Sequence, residues 1–236
     1  MPIILAIETS SELASCALIK GDTIVARESS GVRTHSQAIL PMVQEVLREA
    51  GVALSECDAI AFGAGPGSFT GVRTACGIAQ GLAFGAKLPV LPMVTLAAMA
   101  LACRQRSGAS EIVAVLDARM GEVYWAQYRY QEGWQTVSAP ALCAPGAVAP
   151  LPVAGTLVAC GNGFAEYAAA FAGKAFAEGA LIDVTPHARQ LAELARIALA
   201  AGAAVSAAEA QPLYLRNKIA YTSAERREIN AAKAAA

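Results

Sequence analysis

The chain is short of charge and of histidine, and each shortage removes a class of function. Charged residues fill 16% of its 236 positions, and 18 basic against 19 acidic side chains leave a formal net charge of −1. No stretch of five or six like charges occurs, so the electrostatic footprint of a nucleic-acid binder is missing, and direct nucleic-acid binding by this chain alone is not expected. The two histidines, His35 and His187, stand far apart, and neither has a second histidine one helical turn away. That excludes a zinc site built from local spacing, and no His-Glu-x-x-His is present to support a peptidase. Six cysteines include no Cys-x-x-Cys pair and read as small core hydrophobes. No apolar run reaches membrane-spanning length, and Met1 to Glu8 lacks a basic region ahead of its apolar residues. Neither a membrane span nor a signal peptide is expected, and the cytoplasm is the default.

What is present is apolar and periodic. Hydrophobic residues make up 56% of the chain, enough for one large core or two smaller lobes. The most distinctive stretch is Gly63-Ala64-Gly65-Pro66-Gly67-Ser68-Phe69-Thr70-Gly71, set between the apolar run Ala59 to Phe62 and a helical pattern beginning near Val72. Strand, glycine turn and helix are the expected order, with Ser68 or Thr70 as the helix cap. Two readings of this loop stay open: a nest of backbone amides for an anion, or a close-packed corner. It matches neither the P-loop nor the dinucleotide fingerprint.

A weak internal repeat organises the rest. Ile3 to Glu8 overlays Ile112 to Asp117, both apolar strands that end in a carboxylate. Each is followed by two further strands: Ser15 to Ile19 and Thr23 to Arg27 in the first half, Glu122 to Tyr130 and Trp134 to Val137 in the second. The first half continues through an amphipathic helix, Gln37 to Ala50, to Ala59–Phe62; the second reaches Leu157–Cys160, Gly161-Asn162-Gly163 and a helix to Phe171. The four prolines between Ala139 and Pro152 make that stretch irregular. Two tandem βββαβα units, the second less regular, define an α/β chain of the actin-like ATPase (ASKHA) type. The lobes are read as 1–106 and 107–221, with a tail at 222–236. In that fold Glu8, Ser10 and Asp117 fall at a nucleotide cleft, as metal- and water-orienting groups or as ordinary strand ends. Where nucleotide-hydrolysing members place glycine, this chain has Thr9-Ser10-Ser11 and Ala118-Arg119-Met120. The cleft is therefore read as vestigial.

Five ordered motifs carry a closer resemblance. They are Ile7-Glu8-Thr9-Ser10, Arg33-Thr34-His35-Ser36 leading to Leu40-Pro41, Gly65 to Arg73, Asp117 to Tyr124, and Pro212-Leu213-Tyr214-Leu215-Arg216. In that order they resemble the TsaB (YeaZ-type) family. The resemblance implies a non-catalytic subunit in the threonylcarbamoylation of the adenosine 3′ of the anticodon in tRNAs reading A-starting codons. It implies partnership with the transferase paralogue TsaD and the ATPase TsaE, and a homodimer when alone. No cofactor of its own is implied, but ATP or ADP could sit at the joint with the paralogue. Where the paralogue carries its metal-binding histidines, this chain has Thr95 and Met99, so no metal site is expected. The runner-up is an actin-like small-molecule kinase or weak ATPase using Glu8 and Asp117.

A scaffold's work lies on its surface. Gly71, Ala75, Ala79 and Ala83 recur every fourth residue after the glycine loop, and Gly77, Gly81 and Gly85 form a second small-residue stripe. Small residues let helices approach closely. The expected partner interface is Ile39, Val43 and Val46 of the first helix with Gly71, Arg73, Ala75, Ala79 and Ala83 of the second. Internal packing of one stripe on the sheet is the competing reading. Arg73, in the first turn of its helix, opposes the helix dipole and should find an acidic side chain across the heterodimer or a nucleotide phosphate at the joint.

Overall fold

The computed structural model describes residues 1–29 and 35–216. Arg33 and Thr34 of the expected motifs, and the 222–236 tail, lie outside the described residues.

The first sheet has the order β3-β2-β1-β4-β5, built from β1 (Ile3–Glu8), β2 (Ala14–Lys20), β3 (Thr23–Ser29), β4 (Ala59–Gly65) and β5 (Val90–Val94). β1 pairs antiparallel with β2 and parallel with β4, aligning Ile4 with Ala59 and Ile7 with Phe62. Because successive strand residues face opposite sides, the near-continuous apolar sequences of β1 and β4 require a cover on both faces. Leu5, Ile7, Ile60 and Phe62 point to α1 (His35–Ala50) and α2 (Phe69–Ala86). Ile4, Ala6, Ala59 and Ala61 point the other way, to Ala98 of α3 (Thr95–Ser107) and to α6 (Ala188–Ala200).

The second sheet, β8-β7-β6-β9, repeats the pattern with β6 (Glu111–Asp117), β7 (Val123–Tyr130), β8 (Trp134–Cys143) and β9 (Leu157–Cys160). Ile112, Ala114 and Leu116 pack on α3, while Val113 and Val115 pack on Phe164 of α4 (Gly163–Glu166) and Phe171 of α5 (Ala168–Phe171). The internal repeat is thus a repeat of structure, and both first strands end at the expected carboxylates.

Three details depart from the sequence reading. The second unit has a three-residue turn, Pro145–Ala147, where the first has the sixteen-residue α1, so it is not a full βββαβα. Its fifth strand shrinks to one parallel bridge between Cys160 and Leu181. The last helix of each half also leaves its own sheet: α3 packs between the two sheets, and α6, from the second half of the chain, covers the first sheet. The halves are therefore interlocked across residue 107 and do not separate there as packing units. A single-bridge pairing of Val90 with Val205 extends this crossing.

Candidate functional site

A cleft of about 590 Å³ opens where the two repeats meet. Its walls are the β1–β2 turn (Ser10 to Glu12), the N-terminal turn of α2, the β6–β7 turn (Asp117 to Met120) and the segment Leu213 to Arg216.

The glycine loop forms one wall and is a packed corner. β4 runs on into the loop as far as Gly65, and α2 begins at Phe69 with Ser68 Oγ accepting from the Gly71 N–H at 3.3 Å. The Ser68 N–H donates to the Ser10 carbonyl at 2.7 Å, the Thr9 hydroxyl donates to the Gly71 carbonyl at 2.7 Å, and the Thr95 hydroxyl donates to the Pro66 carbonyl. Gly71 is where α2 passes the end of β1 most closely: a Cβ there would lie 1.9 Å from the Thr9 carbonyl oxygen. A strand end and a helix start can meet this tightly only over a residue without a side chain.

Glu8 does not line the cleft. Its side chain is fully buried beneath it, with Oε1 accepting from the Ser10 N–H. A Cβ on Gly63 would lie 2.0 Å from Oε2, so the carboxyl fits only because that position is glycine. Oε2 and the Ser10 hydroxyl are both buried without a well-aligned hydrogen bond among the described residues. Burial pushes the Glu8 carboxyl up to about 7, against the opposing effect of Ser10 and Thr9.

Asp117 lies at the edge of the cleft with its carboxylate already taken. Oδ1 accepts from the Arg119 N–H at 2.7 Å and from the Tyr167 hydroxyl at 2.9 Å, while Oδ2 faces the Arg119 guanidinium at 3.2 Å. Burial, then the carboxylate itself, pushes the Tyr167 phenol up to about 12, so it remains a donor to Asp117 across the neutral range. The Asp117 N–H is held by Asn162 Oδ1 at 2.9 Å. The turn that follows places Arg119 (φ 60°), Met120 (φ 61°) and Gly121 (φ 77°) in left-handed conformation, and Arg119 and Met120 line the cleft. Arg119 also reaches across the cleft to Glu12 at 2.9 Å.

Thr95 and Met99 are both buried, the first holding the glycine loop and the second packed in the core between α3 and the second sheet. Among the described residues no group of three His, Cys, Asp or Glu side chains could hold a metal, and no helix is long and apolar enough to cross a membrane.

The expected interface divides. Ile39, Val43, Val46, Gly71, Ala75, Ala79 and Ala83 are buried, with the apolar side chains packed in the core under the first sheet, so they cannot touch a partner directly; this corrects the surface reading. The outward stripe of α2 is the other one: Arg73, Gly77, Gly81 and Gly85 are exposed, with open space where Cβ atoms would stand on the three glycines. Beside them Phe84 is 82% exposed. Arg73 has partners within the chain. Its Nε donates to the Tyr214 hydroxyl at 2.8 Å, and its guanidinium lies 3.6 Å from the Phe69 ring centroid. The segment carrying Tyr214 and Arg216 is the part of the site that sequence reasoning left without a role, although its motif was visible.

The TsaD family model, described as "tRNA N6-adenosine threonylcarbamoyltransferase", matches residues 22–225. The chain is 39% identical to the "tRNA threonylcarbamoyladenosine biosynthesis protein TsaB" of Escherichia coli strain K12, over 92% of the chain and 96% of that protein. It is 38% identical to the Haemophilus influenzae protein of the same name, over 95% and 98%. Among solved structures, "YeaZ from Pseudomonas aeruginosa" superposes with a TM-score of 0.85 at 41% identity, covering 91% of this chain and all of that one. The actin-like architecture read from the repeat agrees with these relatives.

Proposed function

The chain belongs to the TsaB (YeaZ-type) family, and on that premise we propose that it is a non-catalytic subunit in tRNA threonylcarbamoyladenosine biosynthesis. It binds and supports a TsaD transferase, in a cytoplasmic assembly that also contains a TsaE ATPase. The observation that carries this reading is the outward face of α2: three exposed glycines in one helix, flanked by exposed Phe84 and Arg73. Glycine within a helix is unfavourable by about 1 kcal/mol relative to alanine. A partner helix seated closely on the stripe offsets that penalty. In the absence of the paralogue the same face pairs with a second copy of the chain.

The arrangement of the carboxylates weighs against a kinase or ATPase. Asp117 has both oxygens engaged by Arg119 and Tyr167, and Glu8 is buried below the cleft with its charged form disfavoured by desolvation. ATP or ADP at the joint with the paralogue remains part of the proposal, because the cleft opens at the N-terminal turn of the eighteen-residue α2, where backbone dipoles favour an anion.

Two experiments test it. Reconstitution of TsaD and TsaE with and without this chain should give threonylcarbamoylated tRNA only when the chain is present; equal modification without it defeats the proposal. The docking face is tested by Gly81→Arg, which points into solvent and should leave the melting temperature of the free chain within a few degrees while abolishing co-purification with TsaD. Survival of the complex would move the interface elsewhere.

A further inference from the structure

The segment Ala210 to Arg216 crosses the cleft and touches both repeats. Its start is tied to α2, where Gln80 Nε2 donates to the Ala210 carbonyl at 2.8 Å. The Leu213 N–H donates to the Ala64 carbonyl at 2.8 Å, anchoring it at the end of β4. Tyr214 then turns outward to Arg73 and Phe69 on α2, with ring centroids of Tyr214 and Phe69 6.1 Å apart. Leu215 packs into the core of the second sheet. Arg216 grips the β6–β7 turn: its Nη2 donates to Glu122 at 2.6 Å and to the Arg119 carbonyl at 3.2 Å, and its Nη1 lies 3.2 Å from Met120 Sδ.

The grip falls on the most strained backbone around the cleft. Arg119 and Met120 carry side chains in the left-handed region, which persists only where surrounding contacts hold it. Arg216 supplies three such contacts to that turn. The turn in turn reaches back across the cleft through Arg119 to Glu12, so the contacts run from α2 through this strap and the turn to the β1–β2 turn, and the Ser68 N–H closes the ring onto the Ser10 carbonyl.

We infer that this segment is a latch that couples the exposed face of α2 to the conformation of the β6–β7 turn. Tyr214 and Arg216 lie two residues apart in one segment. A change in what Tyr214 meets on α2 therefore displaces Arg216 from Glu122 and the Arg119 carbonyl, and the left-handed turn relaxes. Coupling of this kind needs a contiguous element that both ends bias, and the strap is that element.

The coupling is read by hydrogen exchange in the full-length free chain, independently of any docking partner. Arg216→Ala should accelerate exchange of the turn amides of Ala118, Arg119 and Glu122 by tenfold or more, the factor for losing a hydrogen bond between charged groups. Tyr214→Phe and Arg73→Ala, which touch only the α2 end, should accelerate the same amides about fivefold, the factor for one ordinary hydrogen bond. Amides in the middle of β1 and β7 should not change in any variant. Arg216→Lys keeps one charged contact and should fall between Ala and the parent. If Tyr214→Phe and Arg73→Ala leave the turn amides at parental rates, or if acceleration is spread evenly through both sheets, the latch is refuted.

Discussion

Replacing Glu8 with glutamine should make the protein more stable at pH 8 by about 3 kcal/mol, and by little at pH 4.5. The carboxyl is held at about 7 in the folded chain against 4.5 for an unperturbed glutamate, because burial disfavours its charge. The folded state therefore keeps a proton that the unfolded state gives up. Stability from this group is fully present below pH 4.5 and is lost as pH rises through 7. A difference of this size corresponds to about 3 kcal/mol at roughly 1.4 kcal/mol per pH unit. Glutamine mimics the protonated form: its carbonyl oxygen can accept from the Ser10 N–H where Oε1 does now. Denaturant melts of parent and Glu8→Gln at half-unit steps from pH 4.5 to 8 supply the check. The difference between the two curves should grow with pH and level off above 7. Parallel curves would mean that Glu8 titrates normally. They would also reopen its use as a charged ligand in the cleft.

Alanine at Gly71 and alanine at Gly77 should act in opposite directions, although both positions lie in one helix and belong to small-residue stripes. At Gly71 the added Cβ would stand 1.9 Å from the Thr9 carbonyl oxygen and 3.2 Å from Ser10 Cα, both backbone atoms that cannot turn aside. The end of β1 or the start of α2 must shift, and a loss of about 3 kcal/mol or more is expected. At Gly77 the Cβ meets open space, and the ordinary helix preference for alanine should raise stability by up to about 1 kcal/mol. Gly77→Ala also fills part of the groove proposed for a partner helix, so the more stable variant should bind TsaD more weakly. Thermal melts of the two variants, with a pull-down for the second, separate these effects. A stabilised Gly71→Ala chain would show that the strand–helix corner has slack the structure does not show.

Much of the fold is legible because its signals are local. β1 and β6 end at Glu8 and Asp117, and β9 spans Leu157–Cys160, as the apolar runs and their bounding polar residues indicate. The helical stripe Leu191, Leu194 and Ala195 announces α6 equally well, yet nothing in it names the sheet it covers. An apolar stripe records that a face is buried and not what buries it. The same limit explains the interface. Two small-residue stripes on α2 are equivalent in sequence, and only the approach of the Thr9 carbonyl to Gly71 decides which of them turns inward.

The site divides along the same line. Residue types alone lead to the expectation of a vestigial cleft, since serine, arginine and methionine occupy its hairpins, and the family resemblance adds the expectation of no metal at Thr95 and Met99. What the carboxylates do was decided in three dimensions. Desolvation beneath Gly63 keeps Glu8 half-protonated near neutrality, and Tyr167, fifty residues from Asp117 in sequence, donates to one of its carboxylate oxygens. The strap through Tyr214 and Arg216 belongs wholly to the tertiary structure. Its motif is plain in the chain, but its partners on α2 and the β6–β7 turn lie about a hundred or more residues away, and the sequence has no term for a contact that only chain closure creates.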